Sequence, residues 1–232
     1  MQPLSLVIHG ESGTGKSWLG DTSPSPRLIL DAEGGSRFTP SQPKVYWDPI
    51  TGPPPVGQET VIVMVRDFGT MSYVFQWLNA GQHDFKSIVL DSVTELQKRC
   101  IDAIVGTSQM RLQDFGELLR EMETLIRQFR DLHMHPVNPI PVSVLITTTK
   151  QDQSSTFRPH VQGQLALSLP YFVDVVGYLY NKPNPETQQM DRALLVTSTP
   201  GFIAKDRTDR LGHELINPNI VDMVTAVYGV QV

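Results

Sequence analysis

Short apolar runs alternate along this chain with stretches whose apolar residues recur every three or four positions. Residues 4–9 (LSLVIH), 27–31 (RLILD), 44–47, 60–65 (TVIVMV), 87–91 (SIVLD) and 142–147 (VSVLIT) are bounded apolar runs. Such runs suit strands buried on both faces. Helices are predicted over 15–19 and 70–80. Another is marked by Val93, Leu96, Cys100, Ile101 and Ile104, and a longer one by Leu112, Phe115, Leu118, Leu119, Met122, Leu125, Ile126, Phe129 and Leu132. Their spacing places each set on one helical face. Pro136, Pro139 and Pro141 close the long helix. Runs at 173–180, 193–197 and 202–205 then predict a late group of strands, before a terminal helix over 220–228. The proline-rich stretch 48–57 and the segment 181–189 read as surface loops. The order predicts an α/β fold with a mostly parallel central sheet flanked by helices and an antiparallel C-terminal extension.

Composition narrows the function classes. The length of 232 residues suits one domain, taken here as 1–232, with residues 1–3 leading straight into a strand. A net charge of −5 confines any nucleic-acid contact to a local patch. Cys100 is the only cysteine, so no disulfide forms within the chain. That suits a reducing compartment, and the expected location is cytoplasmic. No apolar run has the length of a membrane span, and no membrane association is expected.

Residues 10–17 read GESGTGKS, a complete G-x-x-x-x-G-K-[ST] phosphate cradle between a predicted strand and a predicted helix. Gly10, Gly13 and Gly15 let the backbone turn its N–H groups inward, with Glu11, Ser12 and Thr14 between them. Lys16 places a cation on the β- and γ-phosphates, and Ser17 offers a hydroxyl to magnesium. The expected ligands are therefore ATP and Mg2+.

Two acidic strand ends complete this candidate site. Asp91 closes SIVLD, where a carboxylate can hold magnesium. Asp91 and Ser92 also precede a helix, so an N-cap role competes. Glu33 follows the second strand in LILDAEGG, on the sheet edge expected to carry the cradle. A carboxylate there can orient or deprotonate an attacking water, and Asp31 competes for that role.

The ordered set of cradle, DAE and strand-ending Asp resembles the RecA-like core ATPases. The chain is most similar to the small phage-encoded Sak-type single-strand annealing ATPases. The resemblance runs through LDAEGG, IVLDSVTEL, GQLALSLPYFVDVVGYLY and AKDRTDRLG. It implies a RecA-like P-loop fold, with Glu33 as the catalytic glutamate. It also implies that Lys205 and Arg207 are basic fingers inserted into a neighbour's ATP site, within a homo-oligomeric ring or filament. Two cations one residue apart on a strand project to the same side and can neutralise γ-phosphate charge. The usual Gln or His at the end of the strand over 142–147 is replaced by Thr147, Thr148, Thr149 and Lys150, with Gln151 nearby.

The resemblance further implies single-stranded DNA as a partner, alongside a single-stranded-DNA-binding protein, in the host cytoplasm of a phage. Residues 106–113 and the polar stretch 150–163 are the candidate DNA surfaces. The second holds Lys150, Phe157, Arg158 and His160, an aromatic and cations suited to base stacking and phosphate contact. The leading expectation is an ATPase of recombination or annealing. A small-molecule kinase, a nucleotide-gated scaffold and a hexameric translocase compete with it.

Overall fold

The computed structural model describes residues 2–229; the first residue and the last three of the predicted domain lie outside them. The strands are β1 (Leu4–Gly10), β2 (Arg27–Asp31), β3 (Val45–Tyr46), β4 (Thr60–Met64), β5 (Ser87–Asp91), β6 (Val142–Gln151), β7 (Phe157–Pro159), β8 (Val175–Pro183), β9 (Met190–Leu195), β10 (Lys205–Asp206) and β11 (Glu214–Ile216). The helices are α1 (Lys16–Gly20), α2 (Gly69–Asn79), α3 (Val93–Val105), α4 (Leu112–Asp131), α5 (Leu165–Phe172) and α6 (Ile220–Tyr228). None of these helices is long and apolar enough to cross a membrane.

The main sheet runs in the order β11-β9-β8-β1-β6-β5-β2-β4-β3. The strands from β8 to β3 in that order are parallel. The pairings of β9, β10 and β11 are antiparallel. This is the predicted parallel sheet with an antiparallel extension. Alternation along β1 explains the two cores. Val7 joins the cluster made with α2, α3, α4 and α5, whereas Leu6 and Ile8 join the cluster made with α1 and α6. The central parallel strands β1, β2 and β5 and most of β6 are buried on both faces, as their apolar runs require, whereas the edge strand β3 is half exposed.

Several local expectations change. The stretch from 150 is not an irregular loop: β6 continues to Gln151 and turns back into β7, pairing Lys150 with Arg158 and Gln151 with Phe157. Helix α5 has no counterpart in the sequence reading, because Pro170 interrupts its helical signal; it packs through Leu165 and Leu169. The loop at 181–189 is shorter than expected, since β8 extends to Pro183 and β9 begins at Met190. The late strand expected over 202–205 reduces to β10, and β11 is additional. Leu112 (91% exposed) and Phe115 (44%) leave the predicted apolar face of α4, which is buried from Leu118 onward.

The end of β1 is the tightest point of the sheet. A Cβ on Gly10 would lie 2.3 Å from the Leu179 carbonyl oxygen on β8. A Cβ on Gly177 would meet only the flexible end of Leu194, at 2.6 Å. Backbone cannot yield as a side chain can, so Gly10→Ala is expected to cost about 2–3 kcal/mol of stability and Gly177→Ala clearly less. Urea unfolding midpoints of the two variants check this ordering; equal losses would mean that β1 and β8 separate easily.

Candidate functional site: the phosphate cradle

The loop after β1 turns back through Gly13 (φ 80°) and Gly15 (φ 94°), conformations that side-chain-bearing residues avoid. The buried Thr14 hydroxyl donates to the Glu11 carbonyl at 2.9 Å and braces the loop. No side chain caps the N-terminus of α1. The Lys16 ammonium lies over the loop, donating to the carbonyls of Gly10 (3.0 Å) and Glu11 (2.8 Å). Burial lowers its pKa, and Glu33, Asp91 and Glu11 oppose that shift. A cavity of about 340 Å3 opens here, lined by Ser12, Gly13, Gly15, Lys16 and Ser17 of the loop and by Glu33 and Asp91. Gly10, Glu11 and Thr14 shape the turn without lining the cavity.

The strand order brings the two carboxylates in from the side. β5 and β2 lie beyond β6, with Asp31 and Asp91 in register. Asp31 and Glu33, two positions apart in sequence, have separate duties. The buried Asp31 carboxylate accepts from the backbone N–H of Glu33 (3.1 Å), Gly34 (2.6 Å) and Ser36 (3.0 Å) and from the Ser36 hydroxyl. Its acceptor sites are taken up in folding the loop. Arg99 of α3 adds a bond to the Ala32 carbonyl at 2.8 Å, and the Ala32 N–H donates to the Asp91 carbonyl at 2.7 Å. The loop so held leaves Glu33 exposed at the cavity, where the Ser92 hydroxyl donates to its carboxylate.

The capping question at 91 and 92 divides in the same way. Ser92 is the N-cap of α3 and accepts from the Glu95 N–H at 3.2 Å. Asp91 remains at the cavity, buried. Burial pushes its pKa up to about 6; Ser17 and Lys16 oppose the rise, while Glu33 and Asp31 add to it. A buried carboxylate beside a hydroxyl offers hard oxygen donors of the kind magnesium takes. Ser17 and Asp91 are the residues that would hold the ion.

Other predicted residues lie elsewhere. Lys205 pairs with Val176, which pairs with Val7 in mid-β1. Arg207 lies further from the cradle. It reaches Asp174 (3.2 Å) and lines a groove with Ser5 and Arg130, at the sheet edge where β1 and β6 begin. Neither cation reaches the chain's own cradle. Three of the four candidate DNA residues are engaged within the chain. Phe157 is stacked on Phe202 (5.3 Å between centroids) and tilted against Tyr178 (5.9 Å), which themselves lie 4.5 Å apart, so one side of its ring is taken up by these two aromatics. Arg158 is paired with Asp152, and the His160 ring is 3.2 Å from the Thr148 hydroxyl. Lys150 alone of the four is exposed. The other candidate surface, 106–113, forms the connection from α3 into the exposed start of α4.

Among the residues lining the cavity, Trp18 and Arg192 had no role in the sequence reading, Ser92 was weighed only as a helix cap, and Thr148 was noted only where a Gln or His is usual. Ser92 had a local signal, its place after Asp91. Thr148 lines the cavity because it pairs with Gly10 across β1 and β6. Arg192 arrives on β9, far along the chain, and nothing in its local pattern marks it.

The Asp91 pKa gives a stability prediction. Its folded value, about 6, lies above the ordinary 3.8, so the native state binds the proton more tightly. Its unfavourable contribution is therefore full above about pH 6 and disappears as pH falls toward 4. Asp91→Asn is expected to stabilise the nucleotide-free protein at pH 8 by about 1–3 kcal/mol, fading on acidification, and to lose Mg2+-dependent nucleotide affinity. Urea titrations at pH 8 and pH 5 test the first part, and calorimetric titration with Mg2+ and ADP tests the second. A variant less stable at pH 8 would contradict it.

Among curated proteins, none matches the chain. One protein family, described as AAA domain (AAA_24), matches residues 2–208. The match takes in the cradle, Glu33, Asp91 and the β6–β7 hairpin, and it reaches the segment that carries Arg207. A turn of glycines with left-handed backbone, a lysine over its mouth and two carboxylates facing it form a nucleotide-phosphate site, and with that match the chain belongs to the AAA_24 family of AAA-domain, nucleotide-binding P-loop ATPases.

Proposed function

We propose that this protein hydrolyses ATP in a homo-oligomer of RecA-like cores and couples hydrolysis to single-stranded DNA, in recombination or annealing of the phage Sak type. Within the site, the cradle N–H groups and Lys16 hold the phosphates. Ser17 and Asp91 would hold magnesium, which would supply neutralising charge on those phosphates. Glu33, fixed by Ser92, orients water and takes its proton as that water attacks the γ-phosphate. The Asp31 carboxylate, occupied by the loop, leaves this role to Glu33.

The observation that carries the coupling is the contact between Thr148 and His160. Thr148 lines the cradle cavity. His160 lines a groove of about 760 Å3, together with Lys150 and Arg158 of the hairpin. One hydrogen bond thus joins the phosphate end of the site to a polar groove. The DNA contact is placed in this groove, where Lys150 has no acidic partner among the described residues. Lys205 and Arg207, remote from their own cradle, are left for a neighbour's nucleotide.

Glu33→Gln is expected to bind ATP and to hydrolyse it at least 100-fold more slowly, on the scale of losing a general base. Normal turnover in single-turnover assays would remove Glu33 from the chemistry. DNA coupling is tested by ATP hydrolysis with and without single-stranded DNA at one fixed salt concentration. Stimulation is expected, and His160→Ala should reduce it severalfold; a wild-type rate indifferent to DNA would sink the coupling. For the fingers, Lys16→Ala and Arg207→Ala are each expected to be inactive. Mixed, they should recover part of the activity at interfaces that pair an intact cradle with an intact finger. No recovery in labelled, verified mixed assemblies would leave Arg207 as the local partner of Asp174.

A further inference from the structure

The β8–β9 hairpin overshoots β1. His9, one residue before the end of β1, pairs with Tyr178, while β8 continues to Pro183 and β9 returns from Met190. Arg192 pairs with Asn181 in this overshoot, level with the cradle rather than with the strand. Alternation puts Arg192 on the same face as Leu194, which packs in the cluster that contains Leu19 of α1. Its guanidinium therefore reaches over the cradle from the side opposite Asp91 and Glu33.

The contacts there are close. A Cβ on Gly15 would lie 2.4 Å from Arg192 Nε and 2.9 Å from Cζ, so the guanidinium rests directly on the last glycine of the cradle. Its Cζ stands 4.8 Å from the centroid of the Trp18 ring. Trp18 and Arg192 both line the cradle cavity. Among the described residues the guanidinium makes no hydrogen bond and no ion pair. Arg37, Arg66, Arg111 and Arg210 also lack an ion pair among the described residues, but none of them lies against the cradle as Arg192 does. A half-buried guanidinium beside a phosphate cradle, held on an aromatic face and free of carboxylates, presents its donors to an anion.

Position decides which anion. Lys16, Ser17 and the two carboxylates mark the terminal phosphates and the metal. A nucleotide laid across the cradle from that side ends at β9. We propose that Arg192, held by Trp18, binds the phosphate next to the nucleoside, as a contact made within one chain and distinct from fingers supplied by a neighbour. This rests on the nucleotide-binding reading of the cradle.

The test is calorimetric titration with Mg2+ and ADP, and with a non-hydrolysable ATP analogue. Arg192→Ala is expected to weaken both by the same factor, tenfold or more, because the contact is not to the γ-phosphate. Arg192→Lys, which keeps the charge and loses the planar fork, should fall between. Trp18→Ala should weaken binding and Trp18→Phe should restore most of it. Unfolding midpoints without nucleotide should stay near wild type, which separates a lost ligand contact from a damaged fold. If wild type binds and Arg192→Ala binds equally well, the Arg192 assignment is overturned while the cradle stands. A loss confined to the ATP analogue would move the contact to the γ-phosphate and overturn it too. If wild type binds neither ligand, the cradle reading fails and the inference with it.

Discussion

The site depends on how closely β1 is held between its neighbours. Gly10 ends β1 against the Leu179 carbonyl on one side and pairs with Thr148 on the other. Only a residue without a Cβ fits there. That fit sets the height of the cradle relative to every other functional group. Asp91 and Glu33 come from strands two and three places away on the β6 side, and Arg192 comes from the hairpin that overshoots β1 on the β8 side. A shift of β1 by one residue would exchange its two faces and remove the cradle from all of them.

Charge within the cavity is arranged for a ligand more than for stability. Lys16 loses solvation and is partly compensated by carboxylates. Asp91 is disfavoured as an anion by burial and by two like-charged neighbours. Both penalties decrease when phosphate and a divalent cation are present. Such opposed groups are typical of sites whose stability is given up for function. The neighbouring Asp31 shows the contrary case, a carboxylate whose bonds all serve a loop.

The base of the cradle is also tied to remote parts of the chain. His9 precedes Gly10, and burial lowers its pKa to about 4, which keeps the ring neutral. Its Nε2 donates to the Ile203 carbonyl at 2.8 Å, and its Nδ1 accepts from the Thr149 hydroxyl at 3.1 Å. The ring also packs on Tyr178, which touches Phe157, Tyr180 and Phe202. This cluster joins the cradle strand, the hairpin and the segment leading to Lys205 into one packed unit. Packed contacts therefore run from the strand that carries the cradle to β7 and to the segment that precedes Lys205.

The sequence by itself determined what depends on contiguous residues. Gly10 to Ser17 specify a backbone turn and its charge within eight positions, and the bounded apolar runs specify strands buried on both faces. The long helices were legible because their apolar spacing persists over many turns, and α5 was not because Pro170 cuts a short helix. Tertiary structure decided what depends on pairing across distance. It assigned Asp31 to the loop and Glu33 to the cavity, and Ser92 to the helix and Asp91 to the site, because those carboxylates differ only in which donors surround them. It packed one side of Phe157 against Phe202 and Tyr178, and it set Arg207 beside Asp174 where β1 and β6 begin. It also carried Arg192 to Gly15 and Trp18. That contact exists only because β9 pairs with β8 and β8 with β1, and no local pattern records such a pairing.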